Sequence, residues 1–227
     1  MHRLLTYHSV LMLLDLHTHS VASDDSRATV EQYVKWTGVL RRKGYQIDGF
    51  VLTEHRQFDL ERDYSRLARD SGLVILKGSE LDTDCGHFLV YGVTEELTRR
   101  VDFSNVEMDA VQLIRTAGEC GGIAVPAHPG RFGIGLYEFI ENGADFSAVR
   151  VVEHLNASNR SGEQERAEEL IGRYAFMGTG GSDAHLVSAI GTCMTRFDGP
   201  IGNVQDLVRE LKSGVFSAVR LEQTKTG

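Results

Sequence analysis

Short apolar runs alternate with amphipathic segments from one end of this chain to the other, and no other feature constrains the fold as much. The runs LMLLDLH, GFVLTEH, LVILKGSE, HFLVYGV, GIAVPAH, VRVVEHLN, AFMGTGGSD and IGTCMTRF are brief and apolar or β-branched, as strands are. Between them lie TVEQYVKWTGVLRRKG, DLERDYSRLARDSG, NVEMDAVQLIRTAGECGG, SGEQERAEELIGRY and NVQDLVRELKSG, polar segments with apolar residues three or four apart. Most end in glycine, a common helix C-cap. Repeated strand–helix units predict an α/β fold of parallel strands joined by crossover helices. The alternation breaks once, where LVILKGSELDTDCGHFLVYGV reads as two strands joined by a turn around Asp84 to Gly86. No linker, internal repeat or low-complexity segment interrupts residues 1–227, so one domain is expected, and 41% hydrophobic content is enough to bury a full core.

The polar residues fall in a pattern. His17, His55, Glu80, His128, Glu153 and Asp183 each stand at or just past the end of an expected strand. Of nine histidines, His17, His19, His55, His87, His128 and His185 all track strand ends. In a closed βα barrel those ends share one rim. In DLHTHS, the period of two along an extended segment turns His17 and His19 to the same face, where two imidazoles can grip one cation. GSDAH sets Asp183 and His185 two residues apart in the same way, or else forms a turn in which Asp183 caps a helix. Glu80 offers two oxygens, enough to bridge neighbouring cations. His87, at the start of the next run, reads equally as a ligand or a surface histidine. Pro129 stiffens the backbone beside His128. Glu54 and His55 end another run, Asp24 and Asp25 lie in the loop after the first, and Glu153 and Asn156 could orient ligands while His154 alternates away.

A donor set of His, Asp and Glu without thiolates suits zinc, manganese or iron. Cations at such a centre activate water at neutral pH and hold phosphate oxygens, which points to hydrolysis and to a small phosphorylated, anionic substrate. The formal charge of −8 lacks the basic excess that binding a nucleic-acid backbone requires, so nucleic acid is an unfavoured partner. Cys85, Cys120 and Cys193 are odd in number and form no CxxC, which fits a reducing cytoplasm and no disulfide framework. The opening MHRLLTYHSVLMLL is too short an apolar stretch to span a bilayer and reads as leading into a first strand.

In order, DLHTHS, TEH, GSE, GHFLVYG, AHPG and GSDAH resemble the PHP family, named for polymerase and histidinol phosphatase, over most of the chain. The resemblance implies a single PHP domain folded as a distorted seven-stranded (β/α)7 TIM-like barrel with two or three divalent metal ions on its rim. Matching motifs imply His17, His19, Glu80 and Asp183 around one ion, Glu80, His87 and His128 around a second, and Asp24, His55 and His185 around a third. Glu54 stands where the family has aspartate, and Asp25 where it often has glycine, which leaves open which of Asp24 and Asp25 is the ligand. The implied activity is a metal-dependent phosphoesterase using a metal-bound hydroxide, with Glu80, Asp183 and His185 as catalytic residues. Arg131 and Arg160, in rim loops, are candidates for the substrate phosphate or for plain surface positions. A PHP-type exonuclease and a non-catalytic module that binds metal or a phosphorylated metabolite are the alternatives.

Overall fold

A computed structural model describes residues 11–226. The expected first strand begins at Met12, and the residues before Leu11 lie outside the described part. Among the described residues, nine strands and seven α-helices follow one another as β1 Met12–Thr18, α1 Val30–Arg42, β2 Gly49–His55, α2 Ser65–Ser71, β3 Val74–Thr83, β4 Gly86–Tyr91, α3 Glu95–Arg100, α4 Ala110–Glu119, β5 Ile123–Pro126, α5 Leu136–Glu141, β6 Val151–Asn156, α6 Glu163–Tyr174, β7 Met177–Gly181, β8 Cys193–Phe197, α7 Val204–Ser213 and β9 Phe216–Arg220. No helix among the described residues is long and apolar enough to cross a membrane.

Seven strands form one curled sheet in the order β5-β4-β3-β2-β1-β8-β9, and β6 and β7 form a separate parallel pair. That pair packs between the sheet's two ends, with β6 against β5 and β7 against β9 and β1. The expected (β/α)7 barrel is therefore a half-barrel bridged by two strands rather than a single closed ladder. Nor is the sheet all parallel. Pairs β1–β2 and β2–β3 are parallel, while β3–β4, β4–β5, β1–β8 and β8–β9 are antiparallel. Only Asp84 and Cys85 separate β3 from β4, too few residues for a crossover helix, so these two strands form a hairpin. Between β8 and β9 a helix does intervene, yet the chain returns antiparallel.

Capping residues fix the helix starts. Thr29 and Gln32 form a reciprocal capping box on α1, and Asp109 and Asn203 accept from the third backbone N–H of α4 and α7. The same chemistry shortens the helix expected over DLERDYSRLARDSG. Asp59 accepts from the N–H groups of Glu61 and Arg62, and Asp63 from that of Ser65, so the chain turns twice before α2 begins. Leu207 and Leu211 of α7 pack in one core cluster with Leu89, Tyr91 and Val125, all buried. Each such aliphatic side chain contributes about 1.5–3 kcal/mol of apolar transfer.

Because β4 runs opposite to β3, its beginning lies at the rim where β3 ends, and Asp82 pairs with His87 there. The start of β4 and the ends of β1, β2, β3, β5 and β7 thus deliver their side chains to one place.

Candidate metal centre

Period two along β1 brings His17 and His19 together as expected, and their Nε2 atoms stand 3.0 Å apart. Glu80 Oε2 lies 3.1 Å from Nε2 of His17 and 3.2 Å from Nε2 of His19, and Asp183 Oδ1 lies 3.5 Å from each. The other Glu80 oxygen faces a second set, 3.1 Å from His87 Nδ1 and 2.9 Å from His128 Nε2. A third set gathers nitrogens of His19, His55 and His185. Each of these three groups of donor atoms is compact enough to hold one cation.

Asp24 and Asp25, between which the sequence left the choice open, are both exposed, and it is Asp25 whose Oδ2 stands 3.4 Å from His55 Nε2 and 3.2 Å from His185 Nε2. The loop from Val21 to Asp25 is a succession of tight turns, which carries the second aspartate, not the first, over the imidazoles. The Arg131 guanidinium donates to Asp183 Oδ2 at 2.8 Å and so holds a member of the cluster from the cleft wall. The Arg160 side chain makes no ion pair among the described residues and lines, with Arg131, Ser158, Asp183 and His185, a cleft of about 460 Å³ beside the cluster.

Supporting residues explain how the rim is held. Glu153 Oε1 accepts from His17 Nδ1 at 2.9 Å, while its Oε2 accepts from the His128 backbone N–H at 2.6 Å and from Asn156 Nδ2 at 2.9 Å. Glu54, longer than the family's aspartate, does not turn toward His55. It accepts from the hydroxyls of Ser20 and Ser23, both at 2.6 Å, and so pins the loop that follows His19. Two residues went unread in the sequence. Buried Asp15 accepts from the N–H groups of Ser182 and Gly191 at 2.9 and 2.7 Å, and the Tyr33 hydroxyl stands 2.7 Å from the carbonyls of both His19 and Ala184. An irregularity in β1 between Asp15 and Thr18 breaks the period of two, so spacing gave no signal for Asp15.

The backbone is strained where the donors sit. His128 and Asp183 adopt φ of 30° and 53°, and Arg56, next to His55, 52°. Conformations of this kind persist only where surrounding contacts hold them.

The electrostatics favour cations. Burial alone would raise the Glu80 and Asp183 carboxyls, but His17 and the neighbouring imidazoles hold both well below the usual carboxylate range. Burial works against protonation of His17, yet Glu153, Asp183 and Glu80 together raise it well above the ordinary imidazole value. Burial lowers His128 and His55. Asp15, desolvated and facing only backbone donors and Ser182, is pushed up to about 6.

The donor set fits divalent metal. A carboxylate only accepts, so Glu153 requires the hydrogen on His17 Nδ1, and in the neutral ring Nε2 is left as a lone pair. Nε2 faces His19 Nε2 and carboxylate oxygens of Glu80 and Asp183 in a buried space, where a cation would take the place of the proton those carboxylates favour. His128 Nδ1 is likewise buried without a hydrogen-bond partner among the described residues.

The model of a PHP-associated family matches residues 162–216. That stretch is about a quarter of the chain, and over it the chain is similar to the family that the ordered motifs resemble. An uncharacterised protein of Methanocaldococcus jannaschii is 26% identical over 191 residues, 82% of this chain and 70% of that one. Among solved structures, PsfC from Pseudomonas syringae shares the fold with a TM-score of 0.68 at 20% identity, over 94% of this chain and 93% of that one. The lesion-specific endonuclease PfuEndoQ from Pyrococcus furiosus follows at 0.63 and 15%, over 92% and 57%. A putative metal-dependent phosphoesterase from Bifidobacterium adolescentis gives 0.51 and 16%, over 88% and 96%.

Proposed function

We propose that the chain is a metal-dependent phosphoesterase that hydrolyses a small phosphomonoester or nucleotide. The observation that carries this reading is Glu80, 1% exposed, whose two oxygens each meet a different set of imidazoles beside an open cleft. Two or three ions of zinc, manganese or iron would be held by His17, His19, His55, His87, His128, Glu80, Asp183 and His185, with Asp25 in the place first expected for Asp24. Such ions supply Lewis acidity and lower the pKa of water. The chain's own residues do the rest. Glu80 fixes the spacing of the donor sets, Asp183 and His185 present theirs on the cleft wall, and Arg131 keeps Asp183 turned by its outer oxygen. Arg160 offers its guanidinium, without an ion-pair partner among the described residues, to a substrate phosphate. Three free cysteines suit a reducing, cytoplasmic setting.

The test is phosphate release from a panel of phosphomonoesters by protein reconstituted separately with zinc, manganese and iron, with metal content measured alongside. Glu80→Gln should lose about 100-fold or more of the activity, as expected for removal of a shared ligand, while keeping the native circular-dichroism spectrum. Undiminished turnover in that variant would overturn the mechanism. Metal uptake with no phosphate release would favour the non-catalytic binding module.

The fold shared with the Pyrococcus endonuclease supports a second reading, a nucleic-acid end as substrate. The charge of −8 weighs against it. Binding of single-stranded DNA that weakens steeply with salt would reverse that weighting.

A further inference from the structure

Phe132 is an exposed aromatic side chain held in a fixed place on the wall of the cleft. It is 57% exposed, in a chain that buries most of its other phenylalanines. Exposure here does not mean looseness. The Arg166 guanidinium lies 4.6 Å from the Phe132 ring centroid and 4.2 Å from that of Tyr137, so the cation packs against both rings. Arg166 is itself largely buried and pairs with Glu138 at 2.7 Å. The Phe132 backbone N–H donates to Glu163 Oε1 at 3.2 Å, and the ring rests over Gly162, where a Cβ would come within 3.3 Å of it. A phenyl ring kept in water forgoes the apolar transfer that burial would gain. Here a largely buried cation packed on the ring holds it in that position, on the wall of the cleft that Asp183 and His185 also line.

We infer that Phe132 is a stacking platform for a planar heteroaromatic group, and that the phosphoester taken by this cleft is a nucleotide rather than a sugar or polyol phosphate. The inference rests on the phosphoesterase reading and narrows its substrate class. Stacking suits the site because it tolerates any flat π-face, and Arg160 lies in the same cleft for an anionic group on the same molecule.

The test compares nucleoside 5′-monophosphates with ribose 5-phosphate, which presents the same leaving alcohol without the base. Metal-loaded wild-type protein should show kcat/KM about tenfold or more higher for the nucleotides, the size expected for one stacked base. Phe132→Ala should bring that ratio toward unity, and Phe132→Trp should restore it. Equal turnover of both substrates, or a preference untouched in Phe132→Ala, would overturn the platform and leave the phosphoesterase standing. Should neither substrate be hydrolysed, the phosphoesterase reading fails, and the platform is judged by calorimetric binding to the metal-loaded wild type. Nucleotide binding that exceeds ribose 5-phosphate binding and is lost in Phe132→Ala supports it. Equal or absent binding of the two overturns it.

Discussion

Glu153 Oε1 lies 2.9 Å from Nδ1 of His17, both groups fully or almost fully buried, and this one contact decides which imidazole nitrogen faces the centre. Glutamine in place of Glu153 could present its amide nitrogen to the same ring and release the Nδ1 hydrogen. We therefore expect Glu153→Gln to bind zinc or manganese about 10- to 100-fold more weakly, the range for loss of a partner behind a ligand. Competition titration against a chelator reads this directly, and unchanged affinity would remove Glu153 from that role.

Neighbouring aspartates should differ sharply. Asp25 stands within 3.4 Å of His55 and His185, whereas Asp24 has no such contact. Asp25→Asn should lower metal content by up to about one ion per chain if three are bound, and Asp24→Asn should leave it as it is. Elemental analysis of the two purified variants checks this, and the opposite pattern would return the assignment to Asp24.

Two glycines predict stability changes of opposite sign. A Cβ on Gly130 would lie 1.9 Å from the Glu163 carbonyl oxygen and 2.8 Å from the Ala167 nitrogen, so Gly130→Ala must push α6 away from the loop after His128. Overpacking of this kind costs about 1–3 kcal/mol. Gly118, in α4, is exposed with nothing within 4 Å of its Cβ position, and Gly118→Ala should stabilise by about 0.5–1 kcal/mol. Urea denaturation midpoints give both values.

Buried carboxylates facing one another beside imidazoles make the folded state a better cation binder than the unfolded chain. Zinc or manganese at about one hundred times its Kd should add about 2.7 kcal/mol. For a chain of this size that raises Tm by about 5–10 °C, and a chelator should reverse the rise. No shift in a calorimetric scan would mean the donors do not act together.

The strand–helix alternation was legible because apolar period and glycine stops are local properties. β9, with the sequence FSAVR, and the six-residue helices α3 and α5 were missed, since segments so short show barely one repeat of either period. Strand direction was not legible, and β8 runs antiparallel to β1 although its sequence resembles that of the parallel strands. At the site, the histidines were legible through HxH spacing and strand ends. The proximity of Asp25 to His55 and His185 depends on how a tight loop turns, and the pairing of Arg131 with Asp183 joins residues 52 positions apart, which no local pattern encodes. Tyr33 read as one more apolar position of α1, with no cue that its hydroxyl reaches two loop carbonyls.

The bridging pair β6–β7 carries Glu153 and Asn156 and leads directly to Asp183, while the histidines of the first two donor sets and Glu80 come from the seven-stranded sheet and the loop after β5. Links that cross between them near the centre include Asp183 N–H to the His17 carbonyl and Ser182 N–H to Asp15. The centre is therefore also a rivet across a seam. An opening that parts β7 from β1 dismantles the donor set while each sheet keeps its own ladder, so any cation held there would also fasten the two sheets to each other.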